Sequence, residues 1–258
     1  MASPLPVSVF ILAKDEEQKI GPALDSVAWA AEIVVIDSFS TDRTVEMAKA
    51  TGARVVQLEF SKFGELRQAG IAQTTQPWIF SLDSDERCTP GARDEIARIV
   101  ADPASADAYL VPRRNILLGR SIRHSGWYPD YRQPQLFRRG KMTYAADDEV
   151  HEGWVLDGRL GKMTNPIAQI PYATLAEAIA KMNRYTTLGV AKQVRAGSTS
   201  GCAKAFLRGC WAFLRAYIFQ LGFLDGGPGI VIAVLRFENS FYKHAKLIEN
   251  RLPPRSGP

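Results

Sequence analysis

The sequence predicts an α/β protein, a mostly parallel sheet flanked by helices and followed by a C-terminal amphipathic helical extension. Three observations carry this. Short apolar, β-branched runs alternate with helix-period segments over the first hundred residues, the rhythm of βαβ units. Each run ends in a polar cluster, where doubly wound sheets bind their ligands. From Ala178 to Leu224 there are seven Lys/Arg and no acid, and cationic and aromatic positions recur there at helical spacing.

Val7–Leu12 is an apolar, β-branched run broken only at Ser8, as in a strand buried on both faces of a parallel sheet. Glu16 to Ala31 reads as a helix with Ile20, Leu24, Val27 and Ala31 on one face. Glu32–Asp37 is a second strand. Ser40-Thr41-Asp42-Arg43-Thr44 then opens a helix with cap chemistry, and Gly52 closes it. Ser40, Thr41 and Thr44 therefore read as caps. Arg54–Leu58 is a third strand, Glu65–Gln73 a helix and Trp78–Leu82 a fourth strand, joined by right-handed crossovers. Three strand ends carry Ala13-Lys14-Asp15-Glu16, Asp37-Ser38 and Asp83-Ser84-Asp85. The last presents hard oxygen ligands one residue apart, which suits Mg²⁺ or Mn²⁺ holding a phosphorylated substrate. No GxGxxG lies between the strands, which argues against a dinucleotide site.

After Asp102-Pro103 the rhythm loosens. Tyr109–Pro112 and Gln135–Arg138 read as strands around an aromatic, basic loop, His124–Tyr131, and Asp147–Glu152 is a polar cluster between short strands. Leu175–Ala196 is helical and Gly197–Gly201 reads as a linker. In the tail, Lys204, Arg208 and Arg215 share one sector of a helical wheel, with Phe206, Phe213 and Tyr217 opposite and Trp211, Ile218 and Phe219 flanking the cations. That is the pattern of a helix lying in a membrane interface. Gly226–Gly229 breaks it, and Ile230–Ile248 is a further helix. The expected division is a catalytic domain over 1–196, in halves meeting near residue 100, and a membrane-associating tail over 197–258.

With 258 residues and 46% hydrophobic content, the chain can bury a sizeable core. From Arg113 to Lys141 there are eight Lys/Arg against one acid, Asp130, so an anionic partner is expected. No recognised nucleic-acid module is present, and no nucleic-acid partner is expected. Three scattered cysteines fit a reducing compartment. The apolar run Val7–Leu12 meets Lys14-Asp15-Glu16-Glu17 at once, as a strand and not a signal peptide does, and no long uncharged span follows. The expected location is cytoplasmic.

Ala13-Lys14-Asp15-Glu16-Glu17, then Ile33-Val34-Val35-Ile36-Asp37-Ser38 with Ser40, Asp42 and Thr44, then Leu82-Asp83 with Asp85-Glu86, together resemble the inverting family 2 glycosyltransferases of GT-A fold. Trp127–Asp130, Gln135–Arg139, Val150-His151-Glu152 and Phe223–Gly226 are similar to the lipopolysaccharide inner-core β-1,4-glucosyltransferases of bacteria, which glucosylate heptose. The resemblance implies a UDP-sugar donor, with Asp15 or Glu17 and Asp37 by the uridine, and Ala13, Arg67, Asp83 and Ser84 along the nucleotide. Asp85 and Asp83, with His151 as a possible third ligand, would hold the divalent cation. Glu152 is the expected base, with Asp130 second. Trp127, Tyr128, Arg132 and Arg138 are the expected acceptor contacts. The implied activity is transfer of glucose from UDP-glucose to a lipopolysaccharide core acceptor, by a peripheral protein on the anionic inner face of the inner membrane. Transfer to polyprenyl phosphate or another envelope glycan is the nearer rival, and a non-catalytic sugar-nucleotide or membrane-surface binding protein the rival of another class.

Overall fold

The computed structural model describes residues 3–59, 62–144, 153–195 and 199–250. The chain divides into two compact units, Met1–Arg114 with Asp130–Gln169, and Asn115–Pro129 with Ile170–Pro258.

In the first unit β1 (Leu5–Ala13), α1 (Glu17–Ser26), β2 (Ala30–Asp37), α2 (Thr44–Ala50), β3 (Arg54–Gln57), α3 (Phe63–Ala72) and β4 (Trp78–Asp83) follow the predicted alternation. β5 (Glu86–Arg87), α4 (Pro90–Ala101) and β6 (Ala108–Leu110) come next. β7 (Arg113–Leu117) carries the chain out to the second unit, where β8 (Arg120–Ser121) pairs with it, and β9 (Pro134–Arg138) follows the return. β10 (Met142–Tyr144), β11 (Trp154–Leu156), β12 (Leu160–Lys162) and β13 (Ile167–Gln169) complete the first unit.

Its main sheet has the order β12-β6-β9-β4-β1-β2-β3. Strands β3, β2, β1 and β4 pair in parallel, and β9 enters antiparallel between β4 and β6. Val7, Val9 and Ile11 enter one core with Phe80 and Leu82, while Phe10 and Leu12 enter another with Val34, Ile36 and Ile79. Both faces of β1 are therefore buried, which is why it reads as an apolar run interrupted only at Ser8. Gly70 lets α3 sit close on the sheet, since a Cβ there would lie 2.7 Å from the Phe10 ring.

Two local expectations change. The first helix ends at Ser26, not Ala31, because Ala30 already pairs with Leu5 in the sheet and the Trp29 indole donates to the Ser26 carbonyl. Helix α4 was not foreseen, although Thr89 caps it by accepting from the Ala92 N–H and Pro90 opens it.

The second unit is helical, with α5 (Leu175–Arg195), α6 (Cys202–Leu214), a π-helical turn at Arg215–Phe219, a 3₁₀ turn at Gly222–Asp225 and α7 (Gly227–Glu249). Gly227 and Pro228 begin α7 where a break before Ile230 was expected, because proline suits the first turn of a helix. Helix α5 groups with this tail and not with the sheet. Lys246 of α7 donates to the Asn183 carbonyl and to Oδ1 of Asn183, Thr186 Oγ1 and Thr187 Oγ1 on α5, at 2.6–2.9 Å. Among the described residues no helix is long and apolar enough to cross a membrane.

Candidate active site

The chain runs β1, β2, β3 to one side and then returns to place β4 on the other side of β1. The strand order therefore reverses at β1 and β4, and the carboxyl ends of strands at such a switch point are where open α/β sheets take ligands. Ala13, at the end of β1, pairs with Asp37 at the end of β2, and Leu12 pairs with Asp83 at the end of β4. The three polar clusters meet on this rim, as expected.

The β1 and β2 loops cap each other's helices. The Glu16 N–H donates to Thr44 Oγ1 (2.8 Å) and the Glu17 N–H to Asp42 Oδ2 (3.0 Å), so residues at and just before the start of α2 satisfy free donors at the start of α1. In return the Thr41 N–H donates to Asp15 Oδ1 (2.7 Å) and the Arg43 N–H to Glu17 Oε2 (3.2 Å). Of the three residues expected as caps, Thr44 serves the start of α1, whereas Ser40 and Thr41 tie the loops together through Asp37 and Asp15. The bond from Thr41 holds the Asp15 carboxyl below its ordinary pKa. Asp37 has no exposed surface: its carboxylate accepts from the Ser40 N–H and hydroxyl and from Gln57 Nε2. It builds the turn and offers nothing directly to a ligand in this arrangement.

On the β4 side, Arg67 is buried and donates to Ser81 Oγ (2.9 Å) and Asp83 Oδ1 (2.8 Å). Burial acts to raise the Asp83 pKa, but the charges of Arg67 and Arg113 outweigh it and hold the carboxyl below its usual value. Asp85 is half-buried, with the Gln169 amide donating to it at 3.3 Å. Ser84 is buried, and its carbonyl accepts from Arg87, which also bonds the Glu86 and Lys19 carbonyls. Two residues that sequence reasoning missed organise this turn. Glu86, fully buried, accepts from the Asp83 N–H (3.0 Å), Gln135 Nε2 (2.8 Å) and Arg113 Nε (2.5 Å). Arg113, equally buried, keeps Nη1 without a hydrogen-bond partner among the described residues. A buried cationic donor left over near Asp83 suits an anionic ligand. Glu86 could be suspected from its place in Asp83–Glu86; Arg113 had no local signal.

No group of three or more His, Cys, Asp or Glu able to hold a metal occurs among the described residues. The pair Asp83 and Asp85 fits Mg²⁺ or Mn²⁺ in another way. Such ions keep several waters and bind through one or two carboxylates plus substrate phosphates. His151 and Glu152 lie outside the described residues.

The remaining expected contacts are dispersed. Asp130 is ion-paired with Arg132 at 2.7 Å. Arg138 does not join the rim. It pairs in register with Trp78 at the start of β4, about 16 Å along the strand from Asp83, where it covers the Trp78 ring and bonds Ser105 Oγ. The basic run is also less available than its composition suggests, since Arg113, Arg132, Arg138 and Lys141 are ion-paired with Glu86, Asp130, Asp107 and Asp157.

Trp127 and Tyr128 belong to the second unit. Trp127 is half-buried against Leu117, Ile122 and Ile232 and serves that small core; Tyr128 beside it is also half-buried. Asp225, the acid of the Phe223–Gly226 segment, is buried and accepts from the Arg123 and His124 N–H groups and Ser125 Oγ. Two segments singled out in the sequence are therefore one structural fastening. On α6 the side packed inward carries Ala205 and Gly209, with Ala216 in the π turn, and a Cβ on Gly209 would lie 2.8 Å from the Phe237 ring of α7. Leu207, Trp211, Leu214 and Ile218 form an exposed stripe beside the cations. Phe213 and Tyr217, expected to form the apolar side, are half-buried and meet in a tilted ring contact at 5.6 Å.

Residues 8–153, more than half of the chain, match the model of Glycosyl transferase family 2. Over 262 residues the chain is 30% identical to the lipopolysaccharide core biosynthesis glycosyltransferase LpsC of Rhizobium meliloti (strain 1021), covering 95% of each protein. It is 24% identical to an uncharacterized glycosyltransferase of Rickettsia typhi, over 97% of this chain and 89% of that one. Glucosyl-3-phosphoglycerate synthase from Mycobacterium tuberculosis, solved with Mn²⁺ and UDP-glucose, shares 26% identity over 42% of this chain and 43% of its own. Its TM-score of 0.38 is too low for that likeness to carry weight.

Proposed function

The chain belongs to glycosyl transferase family 2, and on that premise we propose that it transfers glucose from UDP-glucose to heptose of the lipopolysaccharide inner core, with inversion. The observation that carries this reading is the 30% identity to LpsC, which runs the length of both proteins. The rim chemistry supports it. Asp85, with Asp83 beside it, would hold Mg²⁺ or Mn²⁺ on the diphosphate, for Lewis-acid stabilisation of the departing UDP. Arg67 fixes one Asp83 oxygen and keeps the carboxylate ionised, and Arg113 adds positive charge for the same anionic group.

Inversion needs a base for the acceptor hydroxyl's proton. Glu152, in Val150-His151-Glu152, remains the first candidate. Asp130 comes second because its carboxylate is held by Arg132, and a base must be free to take a proton. A lipid-borne acceptor fits a protein that rests on the inner face of the inner membrane, and the second unit offers the means. Lys204, Arg208 and Arg215 are exposed beside the stripe of Leu207, Trp211, Leu214 and Ile218, and no acid occurs from Ala178 to Leu224. Basic residues near an anionic bilayer contribute about 1 kcal/mol each, and apolar side chains add their burial.

The test is transfer from labelled UDP-glucose to lipopolysaccharide taken from a deletion strain, alongside the core composition of that strain. Asp85→Ala should lower kcat about a thousandfold, the several kcal/mol that Lewis-acid stabilisation supplies, and abolish metal-dependent UDP binding. Full activity of that variant, or in EDTA, would remove the metal from the mechanism. A deletion strain with an unaltered core would remove the acceptor assignment.

A further inference from the structure

We propose that Phe39 is the platform on which the nucleobase of the donor lies. This rests on the reading of the rim as a nucleotide site and adds the residue that holds the base.

Phe39 stands between Ser38 and Ser40 in the turn that follows β2, and its side chain is 49% exposed. Its φ is +56°, a left-handed conformation that bulky residues rarely adopt. Asp15, on the neighbouring loop, has φ +52°. The turn is held from several directions. Lys14 Nζ donates to the Phe39 carbonyl, the Ser38 N–H donates to the Ala13 carbonyl (2.9 Å), and the Ser40 N–H donates to buried Asp37 (3.0 Å). Uncommon conformations fixed in this way by their surroundings gather at ligand clamps.

Position and chemistry point the same way. Asp37 pairs with Ala13 and Asp83 with Leu12, so the Phe39 turn begins two strand spacings from the carboxylate pair, about 10 Å away. That is the scale of a nucleoside diphosphate whose phosphates reach Asp83 and Asp85. The acids nearest the base are wholly or partly committed to the loops. Asp37 is buried on Ser40 and Gln57, Asp15 Oδ1 bonds Thr41, and Glu17 Oε2 takes the Arg43 N–H. What this side of the rim presents to a flat heterocycle is the Phe39 ring. Aromatic rings stack on any base, and the contact needs no polar partner.

The decisive variant is Phe39→Gly, because glycine relieves the positive φ and the fold is not put at risk. Titration calorimetry with Mn²⁺ present would compare UDP with inorganic pyrophosphate, which has no base. UDP should bind about tenfold more weakly to Phe39→Gly, pyrophosphate equally well, and Tm should not fall; Phe39→Trp should bind UDP at least as tightly as the parent. Unchanged UDP affinity in Phe39→Gly would overturn the proposal, as would an equal loss for UDP and pyrophosphate. If the parent prefers another nucleoside diphosphate, the UDP assignment fails on the parent alone, and the Phe39 comparison is made with the preferred nucleotide. A parent that binds no nucleoside diphosphate overturns both.

Discussion

The first unit hides charged groups that water would ordinarily hold, and the second shows water apolar groups that a core would ordinarily hold. Glu86, Arg113, Arg67 and Asp37 are buried in the sheet unit, whereas Leu207, Trp211 and Phe219 of the helical unit are 66%, 58% and 67% exposed. Each departure is unfavourable in itself. Burying an ion costs several kcal/mol unless its partners are well placed, and a large apolar side chain left in water forgoes about 1.5–3 kcal/mol. The hidden charges have their compensation inside the molecule, because Glu86 accepts three hydrogen bonds and Arg67 donates to Ser81 and Asp83. Of the exposed side chains, Trp211 and Phe219 meet in a tilted ring contact at 5.6 Å and still remain largely open to water. Under the proposed function, the first contrast would suit a charged ligand met by groups already in place, and the second a membrane surface.

The comparison breaks first at Glu86. If the buried pair organises the β4 turn, Glu86→Ala leaves Arg113 uncompensated and destabilises the protein by about 3–5 kcal/mol in urea unfolding. Removing both charges, with Glu86→Gln and Arg113→Met, should recover part of that loss. A cost of the single change near that of an ordinary surface substitution would mean that the pair is incidental.

The exposed stripe gives the second test, with the opposite signature. Trp211→Ser with Phe219→Ser should leave the unfolding free energy within about 0.5 kcal/mol of the parent. Partition onto vesicles containing phosphatidylglycerol should nevertheless fall roughly thirtyfold, the equivalent of about 2 kcal/mol of lost burial. Lower stability with unchanged partition would show that these side chains pack within the protein. Substitution serves better here than truncation after Gly201, which would remove Asp225 and the α7 partner of α5 along with the stripe.

The same contrast explains what the sequence could disclose. β1, β2 and β4 were legible because burial on both faces leaves a local mark, a short run of mostly apolar residues, and their ends located the rim. Helix α4 left a mark too, Thr89-Pro90 before a helix-period segment, and went unread. The burial of Arg113 leaves none. Its partner Glu86 lies 27 residues away, and within the run of cations it looks like one more surface charge. The packed face of α6 went unread for a related reason. A helical wheel sends the largest apolar residues inward, but close approach to α7 selects Ala205 and Gly209 and leaves the large residues outside.

Glu95 sharpens the comparison by the smallest effect, because it is a hidden carboxylate of the sheet unit that lies off the rim. It accepts from the N–H groups of Thr164 (3.0 Å) and Asn165 (2.7 Å) and from the Asn165 amide (2.8 Å). Burial acts to raise its pKa, but these bonds outweigh it and hold it below the ordinary 4.5. The folded pKa lies under the unfolded one, so the contribution to stability is complete above 4.5 and is lost as pH falls through the folded value. Glu95→Gln keeps the shape and removes the charge, and should cost about 1 kcal/mol near neutrality, the margin between a charged and a neutral acceptor. In chemical denaturation between about pH 7 and pH 3, the gap between parent and variant should narrow with acid. A gap that stays constant into acid would mean that the ionised carboxylate is not what ties α4 to the Thr164 turn. Hidden charge in the sheet unit would then matter for the ligand rim alone.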